Sequence, residues 1–431
     1  MKAIQELIER IVADPDDDAG RLAYAQWLDR RGDPRGAFIR AQCRIARPDT
    51  GTNQLRDDIK LQSELLAAHE VEWTAELREL LGCTGPGNYH PAQFVRGFIE
   101  SVIVPADVLA QAAERLFAVA PLLRSIDLKR PNEGDLGPEL GHALAQRSEL
   151  SRIATLRLFC LELDDPTFTA LARSPHLVGL AELDLGANHL GPESVKALLA
   201  SRFAHQLEEL KLWRNHVGNA GARQIAAAAS PNVRQLCLDH NQIGSQGARA
   251  LASSRQLKRV SSLRLSHNPL GDEGVCALLS SPHLLALRKL DAYGVGLSPS
   301  GVRRLVAIPG LARIKELVIG GNDFGDDGLA ALAASPHTGG LVNLDLEGSE
   351  IGDAGVQALA GARNLGSLRE LGLRYNLITE VGANALAQST CLPELELDIA
   401  YNEVDDSAAL SVYNALHRRF SDVNFVGQGR R

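Results

Sequence analysis

One unit of 26 or 27 residues recurs along most of this chain, and that period constrains the fold more than any other feature. It reads LAELDLGANHLG from Leu180, LEELKLWRNHVG from Leu207, VRQLCLDHNQIG from Val233 and VSSLRLSHNPLG from Val260. The series continues with LRKLDAYGVGLS from Leu287, IKELVIGGNDFG from Ile314, LVNLDLEGSEIG from Leu341 and LRELGLRYNLIT from Leu368. Weaker copies begin at Leu123 and Ile153. A last copy keeps Leu397, Ile399, Asn402 and Val404 but has Glu394 at its first apolar position. Self-similarity at such a period is the mark of stacked repeats.

The pattern LxxLxLxxNxL has a physical reading. The two leucines of L-x-L alternate, so both point to one face of a short strand. Asn follows where the chain turns, and its amide can satisfy backbone groups buried there and in the neighbouring unit. Asn188, Asn215, Asn241, Asn268, Asn322, Asn376 and Asn402 hold that place, whereas Leu161, Val295 and Ser349 replace it. The ladder is expected to be weaker at those three. A glycine register follows (Gly221, Gly247, Gly274, Gly301, Gly328, Gly355, Gly382), then apolar residues at helical spacing such as Val275, Leu278 and Leu279. Each unit is strand, turn, helix. One unit cannot bury its own apolar face, so neighbours must stack.

These residues make the chain resemble the leucine-rich repeat family, and the period with a full helix resembles its ribonuclease-inhibitor type. The resemblance covers about residues 94–431. It implies an α/β solenoid, a horseshoe with parallel strands on the concave side and helices on the convex side. Caps are expected at both ends. FVRGFIESVIVP (94–105) reads as one strand, followed by a helix over 106–118. A helix over 406–418 and a strand within 421–427 close the array, and the terminal GQGRR reads as a frayed tail.

Residues 1–92 break the period and read as a small all-α N-terminal domain with a linker, leaving 93–431 as the solenoid. IQELIERIVADP is amphipathic through Ile4, Leu7, Ile8 and Ile11. One of Asp16, Asp17 or Asp18 can cap the next helix, GRLAYAQWLDRRG. PRGAFIRAQCRIA reads as a third helix, 47–54 as a loop, 55–82 as one or two more helices and GCTGPGNYHP (82–91) as the linker. The run DPDDDAGRLAYAQWLDRRGDPRGAFIRAQ, Asp14 to Gln42, resembles the repeat-companion domain at the N-terminus of many bacterial repeat proteins. That resemblance implies bacterial origin and no particular chemistry.

Composition narrows the function. A formal charge of −8 over 431 residues offers no general nucleic-acid-binding surface. No apolar run reaches the length of a membrane helix, and acids stand where a signal peptide needs an apolar core. Six scattered cysteines without a CxxC pair fit reduced thiols. The chain is therefore read as cytoplasmic, monomeric on its own, without a cofactor or a membrane contact, and with a protein as partner.

Several motifs have only a superficial likeness to chemistry. Asp14, Asp16 and Asp18 have the spacing of a calcium loop, but Ala19 and Ala25 stand where that loop needs Gly and Glu. Gln42-Cys43-Arg44 lacks the glycine of a caspase-like nucleophile motif. Tyr24, Asp29, Arg35 and His69 form no known catalytic arrangement. His240 and His267 fall at equivalent places on adjacent strands beside Asp239, which is too few converging ligands for a metal centre.

The positions between and after the strand leucines are expected to face solvent on the concave side. They carry Arg157, Phe159, Lys211, Trp213, Arg214, Asp239, His240, Arg264, His267, Tyr293, Asp345, Glu347, Arg374, Tyr375 and Tyr401. Aromatics are only 4% of the chain, yet Phe159, Trp213, Tyr293, Tyr375 and Tyr401 fall here. Exposed aromatics and arginines are typical binding anchors. Basic residues gather in early repeats and acids in later ones, a bipolarity that would orient a partner. The expected function is a non-catalytic scaffold that binds a protein on this face. The alternative reading is a regulator of an enzyme, similar to ribonuclease inhibitor or to leucine-rich GTPase-activating proteins, using the same face.

Overall fold

The computed structural model describes residues 2–47, 49–82, 90–132 and 136–428. Most of the expected linker (83–89, with Cys83) and the end of the expected tail (429–431) lie outside the described residues. The chain divides into two compact units, residues 1–184 and 185–431.

The first unit opens with helices α1 (Lys2–Ala13), α2 (Asp18–Asp29), α3 (Arg35–Ile45), α4 (Thr52–Trp73) and α5 (Ala75–Leu80). Asp17 is the residue that caps α2, accepting from the Ala19 amide at 2.9 Å. The expected loop ends early, because α4 begins at Thr52. Ile11, Ala25, Leu28, Ile39 and Cys43 form a core with Phe98 and Leu122.

The stretch read as one strand is a hairpin, β1 (Ala92–Val95) antiparallel to β2 (Phe98–Pro105). The break is at Arg96-Gly97, where both φ angles are positive (47° and 89°). A Cβ on Gly97 would lie 2.1 Å from Ile39 Cγ1, so glycine lets the turn close on α3. Arg21, wholly buried on α2, fixes this turn. Its guanidinium donates to the Val95 carbonyl at 3.0 Å, the Arg96 carbonyl at 3.3 Å and Glu100 at 2.6 Å. Gln42 Oε1 accepts from the Gly97 amide at 2.6 Å. A helix, α6 (Ala106–Val119), follows as expected, then parallel strands β3 (Ser125–Lys129), β4 (Thr155–Arg157) and β5 (Glu182–Asp184).

The second unit repeats one motif. Its strands are β6 (Glu209–Lys211), β7 (Gln235–Cys237), β8 (Ser262–Arg264), β9 (Lys289–Asp291), β10 (Glu316–Val318), β11 (Asn343–Asp345), β12 (Glu370–Gly372), β13 (Glu396–Asp398) and β14 (Asp422–Asn424). All pair in parallel, with the central leucines in register from Leu210 to Leu397 and then Val423. A helix follows each strand from β6 to β13, the last being Asp406–His417. This is an α/β solenoid. The helix glycines permit close stacking: a Cβ on Gly274 would lie 3.1 Å from Ala248 Cβ.

The asparagine ladder is present and buried. Asn268 Nδ2 donates to the carbonyls of Leu238, Leu265 and Ser266, and its Oδ1 accepts from the amides of Asn241 and Ile243. Where the next repeat lacks Asn, the bonding is rerouted. The Leu270 amide turns to its own Asn268 carbonyl at 2.8 Å before Val295, and Phe324 does the same with Asn322 before Ser349.

Candidate functional site

The residue before each ladder Asn sets the geometry of the strand-side surface. To bring its amide back onto the carbonyls two and three residues earlier, the chain must reverse there, and it does so in the left-handed region. Gly294, Gly321 and Gly348 take that conformation at φ of 59–64°. Arg214, His240, His267, Tyr375 and Tyr401 take it too, at 50–56°, although each carries a large side chain. For such residues this conformation costs about 1 kcal/mol apiece. The backbone amide of each donates to the next turn, as His240 does to Ser266 at 2.8 Å and Tyr401 to Val426 at 2.8 Å. The side chains therefore form a row at fixed spacing.

The row has two aromatic stacks. His240 and His267 lie 4.1 Å apart at 14°, and Tyr293 tilts against His267 at 5.2 Å. Burial, the neighbouring His267 and Arg214 push the His240 imidazole below its ordinary pKa, against the pull of Asp239. Tyr375 and Tyr401 stack at 4.6 Å and 3°, and the Arg374 guanidinium lies 5.4 Å from both ring centres. Tyr375 is 52% exposed. Between the stacks the three glycines leave space that Tyr293 partly fills, since a Cβ on Gly321 would lie 2.5 Å from its ring.

Other sequence candidates have been placed differently. Asp239 was expected to face solvent but is 5% exposed. Its carboxylate meets Arg264 at 2.7 Å, the Ser266 amide at 2.9 Å and the Cys237 thiol at 3.3 Å. Burial raises its pKa and pushes the Cys237 thiol up to about 12. Ser266 and Ala400, at equivalent positions, are buried as well. The short strands end here and the chain turns inward, so alternation no longer predicts exposure. Arg264 also reaches Asp291 at 3.4 Å, and Ser266 Oγ donates to Asp291. Trp213 is half-buried because its indole covers Gly186, where a Cβ would lie 2.0 Å from the ring. Lys211 pairs with Glu209. In the first unit, Arg157 reaches Ser125 Oγ at 3.4 Å and Phe159 lies under Lys129 at 5.6 Å.

The tempting N-terminal motifs are occupied within the chain. Asp16 and Asp18 meet Arg96 at 3.1 and 3.3 Å. Cys43 is fully buried, and that burial pushes its thiol up to about 11. Tyr24 packs on Trp27 and Phe98, Asp29 pairs with Arg40, Arg35 is half-buried with its pKa lowered by burial, and His69 lies on Trp73.

Downstream of His267 the strands line a concavity of about 490 Å³. Asp345, Glu347, Arg374 and Asp398 line it, as the sequence pattern suggested. Glu316, Glu370, Glu396 and Asp422 also line it, and these were missed. They are the first residues of their strands, two before the residue between the leucines, so alternation puts them on the same face. Burial, with Asp291 and Asp398 adding to it, raises the pKa of Asp345. Burial, with Asp345 and Asp398, raises that of Glu347, and burial raises that of Tyr293, with Glu347 and Asp345 adding to it.

A leucine-rich repeat family model matches residues 229–252, 260–279, 314–333 and 341–360. The chain carries leucine-rich repeats. Among solved structures, a chain of the yeast Rad7–Elc1 complex is similar to this leucine-rich repeat protein. The TM-score is 0.50 at 19% identity, covering 87% of this chain and 90% of that one. At that identity the likeness speaks for the fold. An internalin, InlF, from Listeria monocytogenes gives 0.42 at 14% identity over 82% and 94% of the two chains. No curated protein sequence matches. Among the described residues no helix is long and apolar enough to cross a membrane, and no group of three or more His, Cys, Asp and Glu is placed to hold a metal ion.

Proposed function

We propose that this leucine-rich repeat protein is a non-catalytic scaffold that binds a protein partner on the strand-side face of its repeats. One observation carries the reading. Arg214, His240, His267, Tyr375 and Tyr401 hold large side chains at left-handed positions where three intervening repeats use glycine. Strain of this kind persists where something other than stability selects the residue. Aromatic and arginine side chains on a rigid surface are efficient anchors, because little ordering cost is left for binding. The solved Rad7–Elc1 complex, whose fold is similar, is consistent with a scaffold of this kind. Residues 1–92, which resemble the repeat-companion domain, we read as either a cap on the array or a second contact for the partner.

Affinity capture from lysate of the source cell tests the proposal. The full chain is compared with an Arg214→Ala, Tyr375→Ala, Tyr401→Ala variant, and the retained proteins are identified by mass spectrometry. Trp213 is left unchanged because its ring packs on Gly186. A protein retained by the wild type and lost by the variant supports the face. Equal retention by both removes it.

A further inference from the structure

We infer that the concavity between β9 and β14 docks an extended, arginine- or lysine-rich segment of a partner protein. This rests on the scaffold reading above and names the chemistry of what it binds.

Charge is the first argument. Seven carboxylates line the concavity, among them Asp345, Glu347, Glu370 and Asp398, against two cations, Lys289 and Arg374. The whole chain has 53 acids to 45 bases, so this excess is local. Lys289 is engaged with Glu316 at 2.6 Å. Burial first, and then neighbouring carboxylates including Asp398, raise the pKa of Asp345 and Glu347, so a positive group placed among them relieves repulsion.

An internal guanidinium is the second. Arg374 Nε lies 3.6 Å from Asp398 while its guanidinium carbon sits 5.4 Å from the centres of Tyr375 and Tyr401. The rim of the concavity thus already holds one arginine between a carboxylate and an aromatic stack. Tyr375 leaves half its surface open beside it for another.

Shape is the third. Gly372 and Val318 line the concavity, so small side chains leave room for a backbone to approach the strands. Five strand spacings of about 4.8 Å give a length of about 24 Å. An extended segment of about seven residues spans it.

The test uses the purified full chain and two fluorescein-labelled octapeptides, one alternating arginine and glycine, the other glutamate and glycine. Binding is read by fluorescence anisotropy. The trough variant carries Asp345→Asn, Glu347→Gln and Glu370→Gln. A control variant carries Glu64→Gln, Glu193→Gln and Asp327→Asn, the same change in net charge on exposed helical positions. A further variant, Val318→Arg, adds a cation to the trough without removing a hydrogen-bonding group. The inference expects the arginine peptide to bind, the glutamate peptide not to, and affinity to fall at least tenfold in the trough and Val318→Arg variants but less than twofold in the control. Equal loss in trough and control variants would reduce the effect to net charge and overturn it. Absence of arginine-peptide binding, or self-association of the chain that the trough variant abolishes, would overturn it too. If the peptide fails while a captured protein is still lost on changing Arg214, Tyr375 and Tyr401, the scaffold reading survives and this inference does not.

Discussion

Replacing Asn268 by alanine tests the physical basis of the repeat most directly. The side chain is 1% exposed and makes five hydrogen bonds to the backbone. Two of them, from the amides of Asn241 and Ile243, are 2.9 Å long and bring buried donors to one oxygen. Alanine leaves both amides without that acceptor, at about 1–2 kcal/mol each. The carbonyls fare better, because Leu238 keeps Asn241 Nδ2 and Ser266 keeps the His240 amide. The Leu265 carbonyl adds about 1 kcal/mol. The expected loss is therefore about 3–5 kcal/mol, read from urea unfolding followed by far-ultraviolet circular dichroism. Hydrogen exchange should show the amides of Asn241 and Ile243 losing protection. Asn364→Ala, which removes one bond to the Ser335 carbonyl, should lose less than about 1 kcal/mol. A loss below about 1 kcal/mol for Asn268→Ala, with both amides still protected, would refute the account of the ladder.

Four further outcomes are expected. Val295→Asn restores a ladder position whose neighbour Leu270 has turned to its own turn carbonyl, and should raise the urea midpoint, a gain of about 1 kcal/mol. Tyr375→Gly removes a left-handed strain of about 1 kcal/mol and a stacking contact of similar size, so stability should hold while capture of a partner falls. His240 titrates lower folded than its ordinary 6.5, so the unfolded chain binds more protons as pH falls below that value. Stability should then drop with acidification through that region and level off below the folded pKa, and His240→Gln should flatten the dependence of the urea midpoint on pH. With iodoacetamide at about pH 8, Cys160 should label in the native protein. Cys43 and Cys237, pushed up to about 11 and about 12, should label only after unfolding.

The array was legible in the sequence because its signals are local and repeated. L-x-L placed each strand, the Asn register located the turn, and the Gly register located the helix start. The hairpin at Arg96-Gly97 was not legible, because the reason for it is a contact with Ile39, more than fifty residues away. A second ladder also went unread. Ser254, Ser335 and Ser389 each donate from Oγ to a carbonyl of the preceding repeat, Ala226, Val306 and Ala360. Their own register was visible, but its partners became clear only once the repeats were stacked. On the candidate face, alternation held within the three-residue strands except at the buried Cys237, and failed just after them. It should have led to Glu316, Glu370, Glu396 and Asp422, and it misplaced Asp239, which lies beyond the strand end where the chain turns inward.

The left-handed positions connect the scaffold to what it presents. The ladder needs the chain to reverse before each Asn, and glycine meets that need most cheaply. Gly294, Gly321 and Gly348 follow the cheap solution, and there the surface opens into a hollow. On either side, histidine, arginine and tyrosine hold the same backbone at higher cost. Because the backbone is fixed by bonds to the next turn, the residue type at this position can change with little effect on the strand register. Stability is thus carried by the buried leucines and asparagines, while the residue before each asparagine is left to set surface chemistry. A repeat protein built this way can alter its partner through one position per turn, which is why substitutions at Tyr375, Tyr401 and Arg214 should move binding far more than they move folding.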